Sequence, residues 1–252
     1  MNGVTAIYGS SDFAGGVSDG TYGVTAMILG YKQNSYFNTN LTAKKTYFAF
    51  DNEIICIGSG INQSTYGDDV YTTVENRLVR NGDVFKVDGQ TATSGSKNAR
   101  YAHFTNMGGY VFDGQQTVTY GFNGSFLEIT LSHGVRPTDG EYFFIYLPTA
   151  TEAETKAYSD NMSARIEVIS RSGSVHAVKD KDLGITAYAF YEAGSCNGVT
   201  VSAPCTLMIS GGKLFVSDPT QTLTSLTVTV NGTNYLFDLT GNVGGTYEKA
   251  LS

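Results

Sequence analysis

Hydrophobic and polar positions alternate with a period of two along most of the chain, and this predicts strands from end to end. "TVTYGF" (117–122) and "FLEITL" (126–131) alternate cleanly, as half-buried strands do. "YGVTAMILGY" (22–31), "LTAKKTYFAF" (41–50), "EIICIGSGI" (53–61) and "YTTVENRLV" (71–79) extend the series. "EYFFIYLP" (141–148) is apolar on both faces, so it is expected to lie between two layers. Asn81-Gly82 and Asn231-Gly232 are two-residue turn signals and predict hairpins on either side of them. One helix is expected in "PTATEAETKAYSDN" (148–161), where Thr151 followed by Glu154 has the spacing of a capping box. After it, "ARIEVIS" to "AYAFYEAGS" reads as three short strands, and "PCTLMI" to "NYLFDL" as one antiparallel meander. The fold class is therefore all-β: a large antiparallel sandwich over residues 1–155 and a small one over 165–252, with the boundary near 150–165.

Composition supports this picture. The chain has 252 residues, enough for one large β domain or two smaller ones, and 41% of them are hydrophobic, as in a folded globular chain. Thirty Gly against four Pro fit many tight turns. The net charge of −7 argues against nucleic acid as a partner, because phosphate binding calls for a basic surface. No apolar run is long enough for a membrane span. The start, "MNGVTAIYGSSDF", lacks the basic and apolar segments of a signal peptide. There are three Cys and three His, without a metal-ligand spacing, so neither a metal nor another cofactor is expected. Cys56 reads as a small core residue. Cys196 and Cys205 are close enough in sequence for a bridge or for a free pair, and both readings stay open.

Five stretches taken together carry a family likeness. "FAGGVSDGTYGVTAM" (13–27), "KKTYFAFDNEIICIGSGI" (44–61), "YTTVENRL" (71–78), "SHGVRPTDGEYFFIYLP" (132–148) and "VSDPTQT" (216–222) resemble, in order, the β-rich half of polysaccharide lyase family 8, the hyaluronate, chondroitin AC and xanthan lyases. The resemblance implies a central sandwich of the galactose-mutarotase-like kind, trimmed at its start, followed by a small C-terminal sandwich. It implies a polysaccharide partner, an α/α-toroid domain not present in this sequence, and a parent protein that is secreted or on the cell surface. The family's β-elimination uses an Asn, a His, a Tyr and an Arg on the toroid. They neutralise the uronate, take the C5 proton and protonate the leaving oxygen. None of these positions has a counterpart here, so no catalytic residue is assigned.

Six residues are candidates for touching glycan: Tyr31 and Tyr36 in "YKQNSYFN", Asn76 and Arg77 in "TTVENR", and His133 and Arg136 in "LSHGVRPTDG". A guanidinium fork suits a uronic carboxylate. Each also has a plainer structural reading: Arg77 in an internal ion pair, His133 and Arg136 in a loop turned by "PTDG". His103 reads as packing between aromatics and His176 as a strand-face residue. Asp68 and Asp69 read as a solvated acidic face, Asp218 as a strand-to-strand corner, and Asp51 with Glu53 as the solvent end of a hairpin. Three functions follow: the non-catalytic β portion of a polysaccharide lyase, a stand-alone carbohydrate-binding or adhesion module, or a mutarotase-like enzyme using His133 and Glu141.

Overall fold

The computed structural model describes residues 8–33 and 38–252. Among these residues the strands form four antiparallel sheets, stacked as layers. A four-stranded sheet runs in the order Asp69–Leu78, Phe126–Val135, Val118–Asn123, Gly95–Lys97. It covers one face of a nine-stranded sheet, ordered Ala14–Ser18, Gly23–Leu29, Thr42–Phe50, Glu53–Asn62, Gly140–Pro148, Gly108–Val111, Tyr101–Phe104, Phe85–Val87, Gln90–Thr91. The other face of that sheet packs on a six-stranded sheet that begins Ile166–Arg171, Val175–Asp180, Ile185–Phe190. That sheet is closed on its far side by a second four-stranded sheet containing Ser225–Val230 and Thr233–Asp238.

Alternation along each strand feeds a different core on each face. In Glu53–Asn62, Cys56 joins Tyr142, Phe144, Leu127 and Ile129 in the core of the large sandwich, while Ile55 and Ile57 point the other way. They meet Phe48, Phe143 and Ile145 of their own sheet, and Ile185, Met208 and Phe215 of the six-stranded one. The segment 141–148 lies between two layers for this reason: Tyr142 and Phe144 face one core, Phe143, Ile145 and Leu147 the other. The six-stranded sheet divides likewise, with Val178 and Ala187 towards the large sandwich and Ala177, Tyr188 and Leu207 towards the small one.

One α-helix, α1, spans Glu152–Arg165 between the two sandwiches. Its capping box is closed: the Glu154 amide donates to Thr151 Oγ1 at 3.3 Å, and the Thr151 amide to Glu154 Oε2 at 2.8 Å. Only Thr155, Tyr158 and Ser159 of α1 are buried. The helix approaches the strand Gly108–Val111 so closely that a Cβ at Gly109 would lie 2.1 Å from Thr155 Oγ1. Glycine is the residue that permits this contact.

Local turn chemistry is realised more fully than strand pairing. At Asn231-Gly232 both residues are left-handed, and Val230 pairs with Thr233 in the expected hairpin. Asn81-Gly82 does form a turn, closed by the Asp83 amide on the Arg80 carbonyl at 3.1 Å. However, it joins no hairpin: Asp69–Leu78 pairs with Phe126–Val135, and Phe85–Val87 with Tyr101–Phe104, in facing sheets. The expected C-terminal meander is likewise divided. Cys205–Ser210 and Lys213–Ser217 belong to the six-stranded sheet, and the next two strands to the small one. Between them Asp218, buried, receives the amides of Thr220, Thr222 and Leu223 at 2.7–2.8 Å and turns the chain from one layer to the other. Those bonds to the ionised form hold its carboxyl below the usual carboxylate range, against the effect of burial. All three cysteines are free; Cys196 and Cys205 sit in different sheets of the small sandwich.

His176 joins the two sandwiches. It is fully buried, with Nε2 2.7 Å from Ser59 Oγ and Nδ1 2.8 Å from Thr46 Oγ1, and Thr46 Oγ1 is 2.7 Å from the Tyr191 hydroxyl. Burial pushes its pKa down to about 3, with the Lys44 charge adding to the shift. The folded state therefore binds fewer protons than the unfolded chain between that value and the ordinary 6.5, and stability falls as pH drops through this window. His176→Gln is expected to lower stability at pH 7 by ~1–3 kcal/mol, the cost of stranding a buried partner. It is also expected to shrink the loss of melting temperature between pH 7 and pH 5, measured by calorimetry. Gly109→Ala is expected to cost ~1–3 kcal/mol by overpacking α1 against the sheet, read from the denaturant midpoint.

Candidate functional site

Asn76 and Arg77 are neighbours on the strand Asp69–Leu78. Arg77 holds Glu75 in a two-point ion pair, Nε to Oε1 at 3.3 Å and Nη2 to Oε2 at 3.2 Å. Glu75 in turn accepts the Tyr110 hydroxyl, and burial together with that carboxylate raises the Tyr110 pKa. Arg77 nevertheless keeps 45% of its side chain exposed, so the guanidinium is braced from within and open to solvent outside. Asn76 turns to the opposite side, where its amide lies 3.4 Å from Glu128 Oε1, which Asn123 also reaches at 3.3 Å. Consecutive strand residues diverge in this way because the pleat alternates.

His133 and Arg136 lie at the other end of the same strand pair. Asn76 is opposite Glu128, whereas Tyr71 is opposite Ser132, so the two ends are about 16 Å apart at ~3.3 Å per residue. His133 Nε2 is 2.9 Å from Thr72 Oγ1, and burial lowers its pKa, helped by the Lys45 charge. Arg136, at a left-handed position (φ 52°), donates to the Tyr66 carbonyl at 3.3 Å. Glu141 pairs with Arg171 at 3.2 Å on the face towards the small sandwich, away from His133. Tyr31 is half-buried and bridges to Gly9. Tyr36 lies outside the described residues. The site residues thus fall into separate places: an Arg77 end, a His133–Arg136 end, and Tyr31 on the edge of the nine-stranded sheet.

Elsewhere, His103 Nε2 is 3.1 Å from the Ala150 carbonyl, and Asp68 and Asp69 are exposed. Among the described residues no cluster of three His, Cys, Asp or Glu could hold a metal ion, and no helix is long and apolar enough to cross a membrane.

The expected solvent end of the first hairpin is where the structure departs most from the sequence reading. Asp51, left-handed with φ 37°, does turn the chain in solvent, but Glu53 is only 4% exposed. The signal was available in the sequence: Glu53 shares its strand face with Ile55 and Ile57, and that face packs on the next layer. Burial pushes the Glu53 pKa up to about 7. The nearby Tyr158 hydroxyl and Arg165 oppose the shift, while Asp180 and Asp182 add to it. The folded state then binds more protons than the unfolded chain between about 4.5 and 7, so this residue erodes stability as pH rises through that window. Glu53→Gln is expected to remove the erosion, giving a melting temperature that gains on the unaltered chain from pH 5 to pH 8.

The model of the polysaccharide lyase family 8 super-sandwich domain matches residues 2–124, and that of the family's C-terminal β-sandwich domain matches residues 167–227. A chondroitinase-AC of Pedobacter heparinus is 30% identical over 84% of this chain and 33% of its own length. A hyaluronate lyase of Thermasporomyces composti is 29% identical over 87% of this chain and 31% of its own. The chain therefore spans about a third of the length of these curated relatives. A Paenibacillus xanthan lyase structure superposes on all of this chain and 30% of its own with a TM-score of 0.83 at 24% identity, a likeness of fold. With both domain models matched in order, the chain belongs to polysaccharide lyase family 8 and carries its super-sandwich and C-terminal β-sandwich domains.

Proposed function

We propose that this chain forms the non-catalytic β portion of a polysaccharide lyase that cleaves uronic-acid-containing polysaccharide by β-elimination. It supports a catalytic helical domain and forms one wall of the cleft. The observation that carries this reading is the use to which the histidines are put. β-Elimination needs a base with access to a sugar C5 proton. His176 is sealed between the sandwiches, His103 is held on the Ala150 carbonyl, and His133 is held on Thr72. The match to about a third of each relative agrees with a division of labour along the parent chain.

A second reading, glycan binding by the sandwich itself, is favoured by Tyr71, 60% exposed, and by the outward half of Arg77. Arg77 is the group suited to a uronate, and its brace on Glu75 lowers the entropy lost when it binds.

Mixed with hyaluronan, chondroitin or xanthan, the purified chain is expected to release no unsaturated uronate, followed by its ultraviolet absorbance. Sustained release from a pure preparation would overturn the non-catalytic assignment.

A further inference from the structure

Where the strand Glu53–Asn62 begins, beside the end of Gly140–Pro148 and against α1, the surface opens into a cavity of ≈ 660 Å³. Glu53, Tyr158 and Arg165 line it, with the amides of Asn52 and Asn161. Leu147, Ala150 and Ala157 supply apolar surface. Three buried polar atoms here have no hydrogen-bond partner: Glu53 Oε1, Tyr158 Oη and the donor Arg165 Nε, which still has the Asp182 carboxylate 3.3 Å away as an ion-pair partner. The two atoms able to accept belong to residues only 4% and 8% exposed. The Tyr158 hydroxyl is near enough to influence Glu53, but no bond of normal geometry forms. Unpaired polar atoms in such a place each cost about 1–3 kcal/mol unless something fills the space.

The charges around the pocket point to the sign of the missing group. Glu154 and Arg165 come from α1, and Asp180 and Asp182 from the hairpin that follows it. Arg165 is the cation on this wall and is already shared. It lies 3.3 Å from Asp182, 4.0 Å from Glu53 Oε2, and over the Tyr158 ring with its guanidinium carbon 4.9 Å from the centroid. An anion would be repelled. A guanidinium would need both carboxylate oxygens, and Oε2 is on the Arg165 side. A primary ammonium needs only point acceptors and has three donors to place. We propose that this pocket binds a primary ammonium group on a short apolar stem. Glu53 Oε1 and Tyr158 Oη are the principal acceptors, an amide oxygen of the Asn52–Asn161 wall takes the third proton, and the stem lies on Leu147 and Ala157.

The test compares n-pentylammonium with its neutral counterpart 1-pentanol on the full chain, by NMR titration at pH 6 and pH 8. The ammonium is charged at both. With Glu53 titrating at about 7, its ionised fraction rises roughly tenfold between them, and the affinity for pentylammonium is expected to rise by the same factor. Pentanol is expected to bind more weakly at pH 8, with no such rise. Glu53→Gln is expected to abolish the pH dependence and bring pentylammonium down to the level of pentanol. Tyr158→Phe is expected to weaken binding several-fold and leave the pH dependence in place, so a change of fold in one variant does not remove the test. Equal binding of the two probes, no saturable binding of the ammonium at pH 8, or an unchanged affinity in folded Glu53→Gln would overturn the proposal.

Discussion

The molecule depends on a nine-stranded sheet that has no free face. One side is closed by the four-stranded sheet of its own sandwich. The other side presents Phe48, Phe50, Ile55, Ile57, Phe143 and Ile145, and these are covered by α1 and the six-stranded sheet of the next sandwich. Burying a large apolar side chain is worth ~1.5–3 kcal/mol, so baring these six would cost on the order of 10 kcal/mol, comparable with the whole stability of a domain. The two sandwiches are consequently one packing problem. The polar features between them, the His176 network and the Glu53 pocket, exist because a doubly covered sheet must accommodate whatever polar groups its strands carry inwards.

Much of the fold was legible because strand alternation and turn chemistry are local. The clean period in 117–131, the capping box at Thr151 and Glu154, and the Asn231-Gly232 hairpin all have their expected form. The two-faced apolar run at 141–148 announced its position between layers. Which strands pair was not legible where a turn crosses between layers. Asn81-Gly82 bends the chain as its residues dictate, but a turn says nothing about whether the strands on either side meet each other or different partners.

The candidate site was legible in part. Arg77 with Glu75 follows from their spacing on one strand face, and that ion pair is in place. Glu53 was misjudged because a polar residue after Asp51-Asn52 resembles more turn. The face it shares with Ile55 and Ile57 outweighs its polarity. The family-like stretches also acquire a physical meaning. Gly15 of the first stretch lies so close to Pro219 of the last that a Cβ there would be 3.0 Å from the Pro219 Cα. Thr46 and Ser59 of the second hold His176, and Phe143 and Ile145 of the fourth cover the shared core. Four of the five stretches thus meet where the two sandwiches join, and 71–78 lies in the outer four-stranded sheet.

That joint affects how the protein comes apart. An ordinary two-domain chain with an exposed linker melts in two steps, each domain keeping its own cooperativity. Here the connection is α1, pinned at Gly109, and the sandwiches share a large apolar cluster beside the buried His176 network. Partial unfolding of the small sandwich would leave a broad, sticky β face in water. Opening is therefore expected to be all or none, and a shortened version ending near α1 is expected to seed aggregation rather than form a smaller soluble domain.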